Sequence, residues 1–329
     1  MQTRRRFLQN AGAAAAVPIS GQSARALDYP NRPVRMIVPF LAGGTTDIVG
    51  RIVAQKLSER LGKQFYVENV GGAGGNIGTA QAARAAPDGY TVLCAPSSLV
   101  TNPAFLGKVP YDPVRDFAAV AVPIASAYTI AVHPPLGVRT LDELITLIRA
   151  NPGRYTYASG GAGAQPHLAF EQFRLSLGLD IVHVPFSGGV PAIAAVVAGH
   201  IPVCAMSLPN CVPHLQDGSL YALVVSSRER SRKLPDIPTA TEAGFPVLTG
   251  DQWVGFLLPA GTPAEIVALL HRSIVDIAAL ADVRERLGAL DFYGLQSTPE
   301  AFAERIRDEL QSWRRVVRRQ IESSSSSAP

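Results

Sequence analysis

The chain has 329 residues, with 30 lysines and arginines against 26 acids, and 47% of it is apolar, too long for one simple core and suited to two lobes. Residues 1–26 carry four of the arginines (Arg4, Arg5, Arg6, Arg25) and no acid, so the remainder balances at 26 against 26. A nucleic-acid partner needs a basic face, and only Arg314-Arg315 with Arg318-Arg319 offers one, read here as the solvated face of a terminal helix.

In chain order, Arg4–Arg6, Phe7-Leu8, the apolar run Ala11–Val17 and Ala24-Arg25-Ala26 predict an export signal over residues 1–26, cleaved near Ala26. Thr3–Leu8 resembles a twin-arginine signal, with a general secretory signal as the alternative. After it no run reaches the ~20 apolar residues of a membrane span, so the mature chain is expected not to span a membrane. From Val34 strand-like and helix-like stretches alternate: Val34–Phe40, helix Asp47–Leu61 capped by Asp47, Phe65–Glu68, helix Gly78–Ala86 and Tyr90–Ala95. The alternation predicts an α/β fold, each lobe a mostly parallel sheet flanked by helices, with ligands bound beyond the carboxyl ends of the strands. Ala118–Val132 is long enough to leave one sheet and enter another, which makes it a hinge. The pattern then restarts with helix Leu141–Ala150, strand Tyr155–Ala158, helix Pro166–Leu177, strand Ile181–Val184, helix Pro191–Ala198, strand Ile201–Ala205 and strand Tyr221–Ser226. Helices Ala264–Leu280 and Pro299–Arg319 complete the first lobe, and Ser323–Ser327 reads as a disordered tail. The expected lobes are residues 27–125 with 228–329, and residues 126–227, with a ligand cleft between them.

One short pattern occurs twice at a strand-to-helix junction: Val38-Pro39-Phe40 leading to Gly43-Gly44, and Val184-Pro185-Phe186 leading to Gly188-Gly189. Uncommitted N–H groups and the positive end of the helix dipole make each junction an anion-binding start. Two more glycine loops, Gly71–Asn76 and Ser159–Gly163, bring the set to two in each expected lobe. Hydroxyls cluster at the same strand ends, at Thr45, Thr46, Ser97, Ser98, Ser159, Ser187 and Ser207, and no arginine lies inside the loops. That composition points to a ligand gripped by main-chain amides and water instead of a guanidinium fork. His167, just inside a helix behind Ser159–Gly163, is placed either to donate to a ligand oxygen or to serve the structure.

Nucleotide signatures fail: Gly72 and Gly74 are followed by Ile77 where G-x-G-x-x-G needs glycine, and no P-loop is present. G-x-S-x-G, H-E-x-x-H and S-x-x-K are absent too, so neither an enzyme nor a cofactor is expected, a hydrolase using Ser98 or Ser159 with His167 being the minor alternative. Six scattered histidines and three cysteines without C-x-x-C signal no metal site. Cys94, Cys204 and Cys211 read as buried free thiols, with a Cys204–Cys211 pair as the lesser alternative.

Several segments together resemble one family: Val38-Pro39-Phe40 to Gly43-Gly44 and Asp47; Glu68-Asn69 with Gly72–Gly78; Pro87-Asp88-Gly89-Tyr90; Leu234–Thr239 with Glu242-Ala243-Gly244; and Trp253 with Pro259–Pro263. In order and spacing, from about Tyr29 to Arg319, they are similar to the solute-binding proteins of tripartite tricarboxylate transporters. The resemblance implies a periplasmic type II "Venus flytrap" that closes on a small organic acid and delivers it to a permease of one large and one small membrane subunit. It also implies ligand contacts from Phe40, Gly43, Gly44, Thr45, Thr46 and Asp47, and from Ser97 and Ser98. In the second lobe it implies contacts from Ser159, Gly160, Gly163 and Ala164, and from Phe186, Ser187, Gly188 and Gly189. Three places depart from the family pattern: Val70-Gly71 for arginine-proline, Ile201-Pro202 for an apolar residue and aspartate, and Met206 where a polar side chain often reaches the cleft. These favour a ligand with a less polar or aromatic far end. A periplasmic sensor subunit signalling to a membrane receptor would use the same clamp and is the alternative function.

Overall fold

The computed structural model describes residues 28–326, with side chains to residue 318. The predicted export signal lies outside the described residues. The chain opens with β1 (Val34–Val38), α1 (Thr45–Leu61), β2 (Phe65–Asn69), α2 (Asn76–Ala83), β3 (Thr91–Pro96), α3 (Ser98–Leu106) and β4 (Phe117–Ser126). It continues with β5 (Tyr128–Val132), α4 (Leu141–Ala150), β6 (Thr156–Ser159), α5 (Gln165–Ser176), β7 (Val182–Pro185), α6 (Gly189–Val197), β8 (Val203–Ser207), α7 (Leu208–Gln216) and β9 (Tyr221–Val225). It ends with β10 (Gln252–Pro259), α8 (Ala264–Ala279), α9 (Ala281–Gly288), β11 (Phe292–Gly294) and α10 (Pro299–Ser326).

Two sheets form, in the orders β11-β4-β10-β3-β1-β2 and β7-β6-β8-β5-β9. In the first, β1 pairs in parallel with β2 and β3, while β10 runs antiparallel between β3 and β4. In the second, β6 is parallel to β7 and β8, and β5 alone is reversed between β8 and β9. The reversed β5 follows from chain path, because β4 runs into β5 with only Ala127 between them and enters the second sheet from the opposite end. The long apolar run predicted as one strand is this pair.

Side-chain alternation divides each sheet into two buried faces. Val34, Met36 and Val38 of β1 pack under α1 and α8, against Leu57, Leu270 and Ile274, while Ile37 points the other way, toward Leu99 of α3 and Phe302 of α10. In the second lobe Tyr157, Phe170 and Phe173 pack with α4 on one face, and Ile193, Val196 and Cys211 of α6 and α7 cover the other. Burying each such leucine or isoleucine contributes about 2 kcal/mol. Leu234 and Ile237 pack against Leu208 and Val225, and Ala240 and Leu248 join the core around Tyr157. The segment after residue 228, drawn with the first lobe from sequence, therefore packs on the second as far as Leu248.

Three local expectations differ. Helix α1 begins at Thr45 with Gly44 as its cap, and Asp47 sits in the first turn instead of at the cap. Helices α3 and α7 have no counterpart in the sequence reading because prolines interrupt their patterns; Pro209 fits the first turn of α7, where no N–H is needed, and Pro103 and Pro213 lie inside short helices. Helix α10 continues through Ser323–Ser326 where a disordered tail is expected, since serine costs only tenths of a kcal/mol once a helix is running.

Candidate functional site

The cleft between the sheets is lined from the first lobe by Phe40, Leu41, Gly44, Thr45, Thr46, Pro96, Ser97, Ser98 and Gln252. The second lobe contributes Gly160, Ala164, Gln165, Pro166, Gly188, Gly189, Val190, Ala205, Met206, Ser207 and Asn210. Five helices start here: the cap residues Gly44, Ser97, Ala164, Gly188 and Ser207 of α1, α3, α5, α6 and α7 all line the cleft, and none makes a side-chain cap hydrogen bond. At α7 Leu208 N already donates to Ala127 O at 2.9 Å and Pro209 has no N–H, so the donors left to a ligand come mainly from the first turns of α1, α3, α5 and α6. Helix α4, which does not reach the cleft, is capped normally, with Thr140 Oγ1 accepting from Glu143 N at 3.2 Å. No lining side chain carries a charge.

The first-lobe loop is fixed from beneath by Asp47. Its carboxylate accepts from Gly43 N at 2.8 Å, Asn69 Nδ2 at 2.8 Å and Arg51 Nε at 2.9 Å. Burial alone would raise this carboxyl, but the hydrogen bonds from Arg51, Gly43 and Asn69 outweigh it and hold the group below the usual carboxylate range. Asn69 Nδ2 also donates to Phe40 O at 3.0 Å. The loop from Phe40 to Gly43 is thus tied at both ends to one ionised side chain and its partner.

The second-lobe loop is fixed without charge. Gly163 N donates to His167 Nδ1 at 3.2 Å, and Ser159 Oγ lies 2.7 Å from His183 Nε2. The two imidazoles pack at a 32° tilt with centroids 4.1 Å apart beside Tyr157, whose hydroxyl donates to Glu171 at 2.6 Å. Burial pushes both histidines down to about 4, so they stand neutral near pH 7, His167 serving as an acceptor within the fold.

The lobes touch across the cleft. Thr45 Oγ1 donates to Asn210 Oδ1 at 2.8 Å, and Ser97 Oγ donates to Gln165 Oε1 at 2.5 Å. At the back of the cleft the chain crossings are laced together: Ser226 Oγ accepts from Tyr128 N at 2.8 Å and donates to Gly250 O at 2.7 Å.

Of the residues expected at the site, Phe40, Gly44, Thr45, Thr46, Ser97, Ser98, Gly160, Ala164, Gly188, Gly189 and Met206 are brought together in the lining. Gly43, Asp47, Ser159, Gly163, His167, Phe186 and Ser187 lie outside it, in or behind the loops. Sequence reading missed Leu41, Gln165, Val190, Asn210 and Gln252. Gln165 and Val190 follow directly on predicted loops and were recoverable as first-turn positions, whereas Asn210 needed α7. The buried cysteines Cys94, Cys204 and Cys211 are all free, and burial raises the Cys94 thiol.

A family model for the tripartite tricarboxylate transporter family receptor matches residues 49–321. A solved periplasmic transporter superposes with a TM-score of 0.86 at 39% identity, covering 89% of this chain and 98% of that one. MatC of Rhodopseudomonas palustris with bound malate gives 0.84 at 31% identity, covering 88% and 100% of the two chains. Another R. palustris protein, with adipate, gives 0.85 at 30% identity, covering 89% and 98%. With its two sheets joined at a laced crossing and its helix starts converging on an uncharged cleft, the chain belongs to the tripartite tricarboxylate transporter family receptors, which are periplasmic solute-binding proteins.

Proposed function

We propose that the chain captures one small organic carboxylate in this cleft and hands it to a membrane permease of one large and one small subunit, without turnover. The observation that carries the reading is the convergence of five helix starts without side-chain caps on a lining without charge. Such a lining satisfies a carboxylate by N–H donors, hydroxyls and helix dipoles while leaving no fixed charge to be stranded when the ligand departs. Phe40, Leu41, Val190 and Met206 supply apolar wall, which favours a ligand whose far end is aliphatic or aromatic. Malate and adipate, bound in two related proteins, are both small carboxylates. Binding without catalysis is supported by Ser159, which is fully buried and pairs with His183, and by His167, whose Nδ1 is occupied by Gly163. The export signal at residues 1–26 would deliver the chain to the compartment where such capture takes place.

A thermal-shift screen of residues 27–329 against malate, adipate, longer diacids, aromatic acids and amino acids tests the reading, because a ligand bound only by the folded state raises the melting temperature. One acid is expected to give a clear shift, reduced at least about tenfold in affinity by Gly44→Val. Gly44 has an ordinary extended backbone, and a Cβ there meets only Leu41 O at 3.8 Å, so the fold is expected to survive while the ligand's approach to α1 is blocked. A shift given by uncharged compounds alone would sink the proposal.

A further inference from the structure

Gly163 belongs to a cleft loop but does not line the cleft, and what it does meet is a buried asparagine of the opposite lobe. A methyl group on Gly163 would overlap Asn102 Oδ1, and the glycine sits at φ +85°. Asn102 is 1% exposed; its Nδ2 donates to Gly74 O at 2.8 Å and to Asn76 Oδ1 at 2.9 Å, so its first-lobe neighbours hold the amide in one orientation. Its Oδ1 has no hydrogen-bond donor among the described residues and points at the Gly163 Cα. Next to it the fully buried Thr101 donates Oγ1 to Gly163 O at 2.5 Å, and a side chain on Gly74 would meet Ala162 O at 2.8 Å. Three contacts thus seat loop 161–163 of the second lobe on α3 and the loop before α2, while Gly160 and Ala164 on either side of those residues face the cleft.

We infer that Asn102 is a positioning residue for ligand capture: its amide, abutting the bare Gly163 Cα, sets how far the two lobes can close. The inference rests on the carboxylate-capture reading above. An amide held by two hydrogen bonds does not give way, and a packed contact is a stop instead of a spring. With glycine at position 163 the lobes meet at the depth that brings the start of α5 to the ligand. With any side chain there, the same amide holds the second-lobe loop away. Neither residue lines the cleft, so each acts on affinity through closure.

The experiment is a mutant cycle read by calorimetric titration with malate and adipate. Gly163→Ala is expected to weaken binding about tenfold in the native background and less than about threefold in an Asn102→Ala background, because the overlap has been removed. Asn102→Gln, which lengthens the stop without left-handed strain, is expected to weaken binding in the same direction and to leave the ligand-saturated radius of gyration larger than that of the native protein. Loss of equal size with and without the Asn102 side chain would overturn the inference, since Gly163 would then act on the ligand or on its own loop. A Gly163→Ala effect seen only in the melting temperature of the empty protein would overturn it as well. Should malate and adipate not bind, the titration uses the acid the thermal-shift screen finds; should no carboxylate bind the native chain, the capture reading fails, and mild oxidation of an Asn102→Cys/Gly163→Cys variant still tests the contact. Bridging supports the stop, and a folded variant that does not bridge refutes it.

Discussion

The two lobes present the same device to the cleft and secure it by opposite means. In the first, Asp47 is ionised beneath Gly43 and shares its charge with Arg51; in the second, loop 159–163 rests on neutral histidines. The starts of α3, α5, α6 and α7 have no acidic residue in their first turns, whereas α1 has Asp47. An acid in the first turn offsets part of the helix dipole. The pull on an anion therefore comes more from the second lobe, which supplies three of the four unopposed starts, while the first lobe contributes a rigid platform.

Asp47 carries the largest expected effect. Asp47→Ala removes a carboxylate whose side chain is 3% exposed and strands the Gly43 N–H and the Asn69 amide, so a loss of about 3 kcal/mol is expected in urea unfolding. A loss under about 1 kcal/mol would show that the loop holds itself.

Acid sharpens the contrast. Folded His167 and His183 take up protons only near pH 4, against about 6.5 unfolded, so the unfolded state binds more protons between these values and stability falls as pH drops from about 6.5 to 4. Roughly 2 kcal/mol is expected, allowing for the partial exposure of His183. The Asp47 contribution runs on a different window: its folded value is depressed, so it is intact above about 3.9 and lost only below. Both tryptophans, Trp253 and Trp313, lie in the first lobe. Circular dichroism should therefore weaken at higher pH than tryptophan fluorescence changes; coincident curves would mean that the lobes unfold as one.

Smaller effects follow at the cleft and the surface. Thr45→Ala loses the bond to Asn210 that spans the lobes, and about a fivefold weaker dissociation constant is expected by titration. Arg51→Ala should cost under about 1 kcal/mol in the same urea assay, because its side chain is 52% exposed. If it matched Asp47→Ala, the pair and not the buried carboxylate would be the anchor.

Much of this arrangement was readable in advance. Helix Leu141–Ala150 was bounded correctly, its apolar stripe at Leu141, Leu144, Ile145 and Ile148 being unbroken, and the doubled Val-Pro-Phe pattern located two of the five helix starts. Prolines hid α3 and α7, and with them Asn210 and the asparagine that meets Gly163. Loop residues were the harder case, because in a tight turn neighbours face opposite ways: Gly160 reaches the cleft while Gly163 meets the other lobe, and nothing in a run of glycines says which does which.

The buried thiols have a practical consequence. Cys94, Cys204 and Cys211 are each inaccessible, and burial keeps the Cys94 sulfur protonated, so the folded chain is silent toward maleimide dyes. A single cysteine introduced at Leu41 or Val190, which are 45% and 48% exposed at the rim of the cleft, becomes the sole labelling position without any native cysteine being removed. A solvent-sensitive fluorophore there turns the protein into an optical probe for whichever acid it captures.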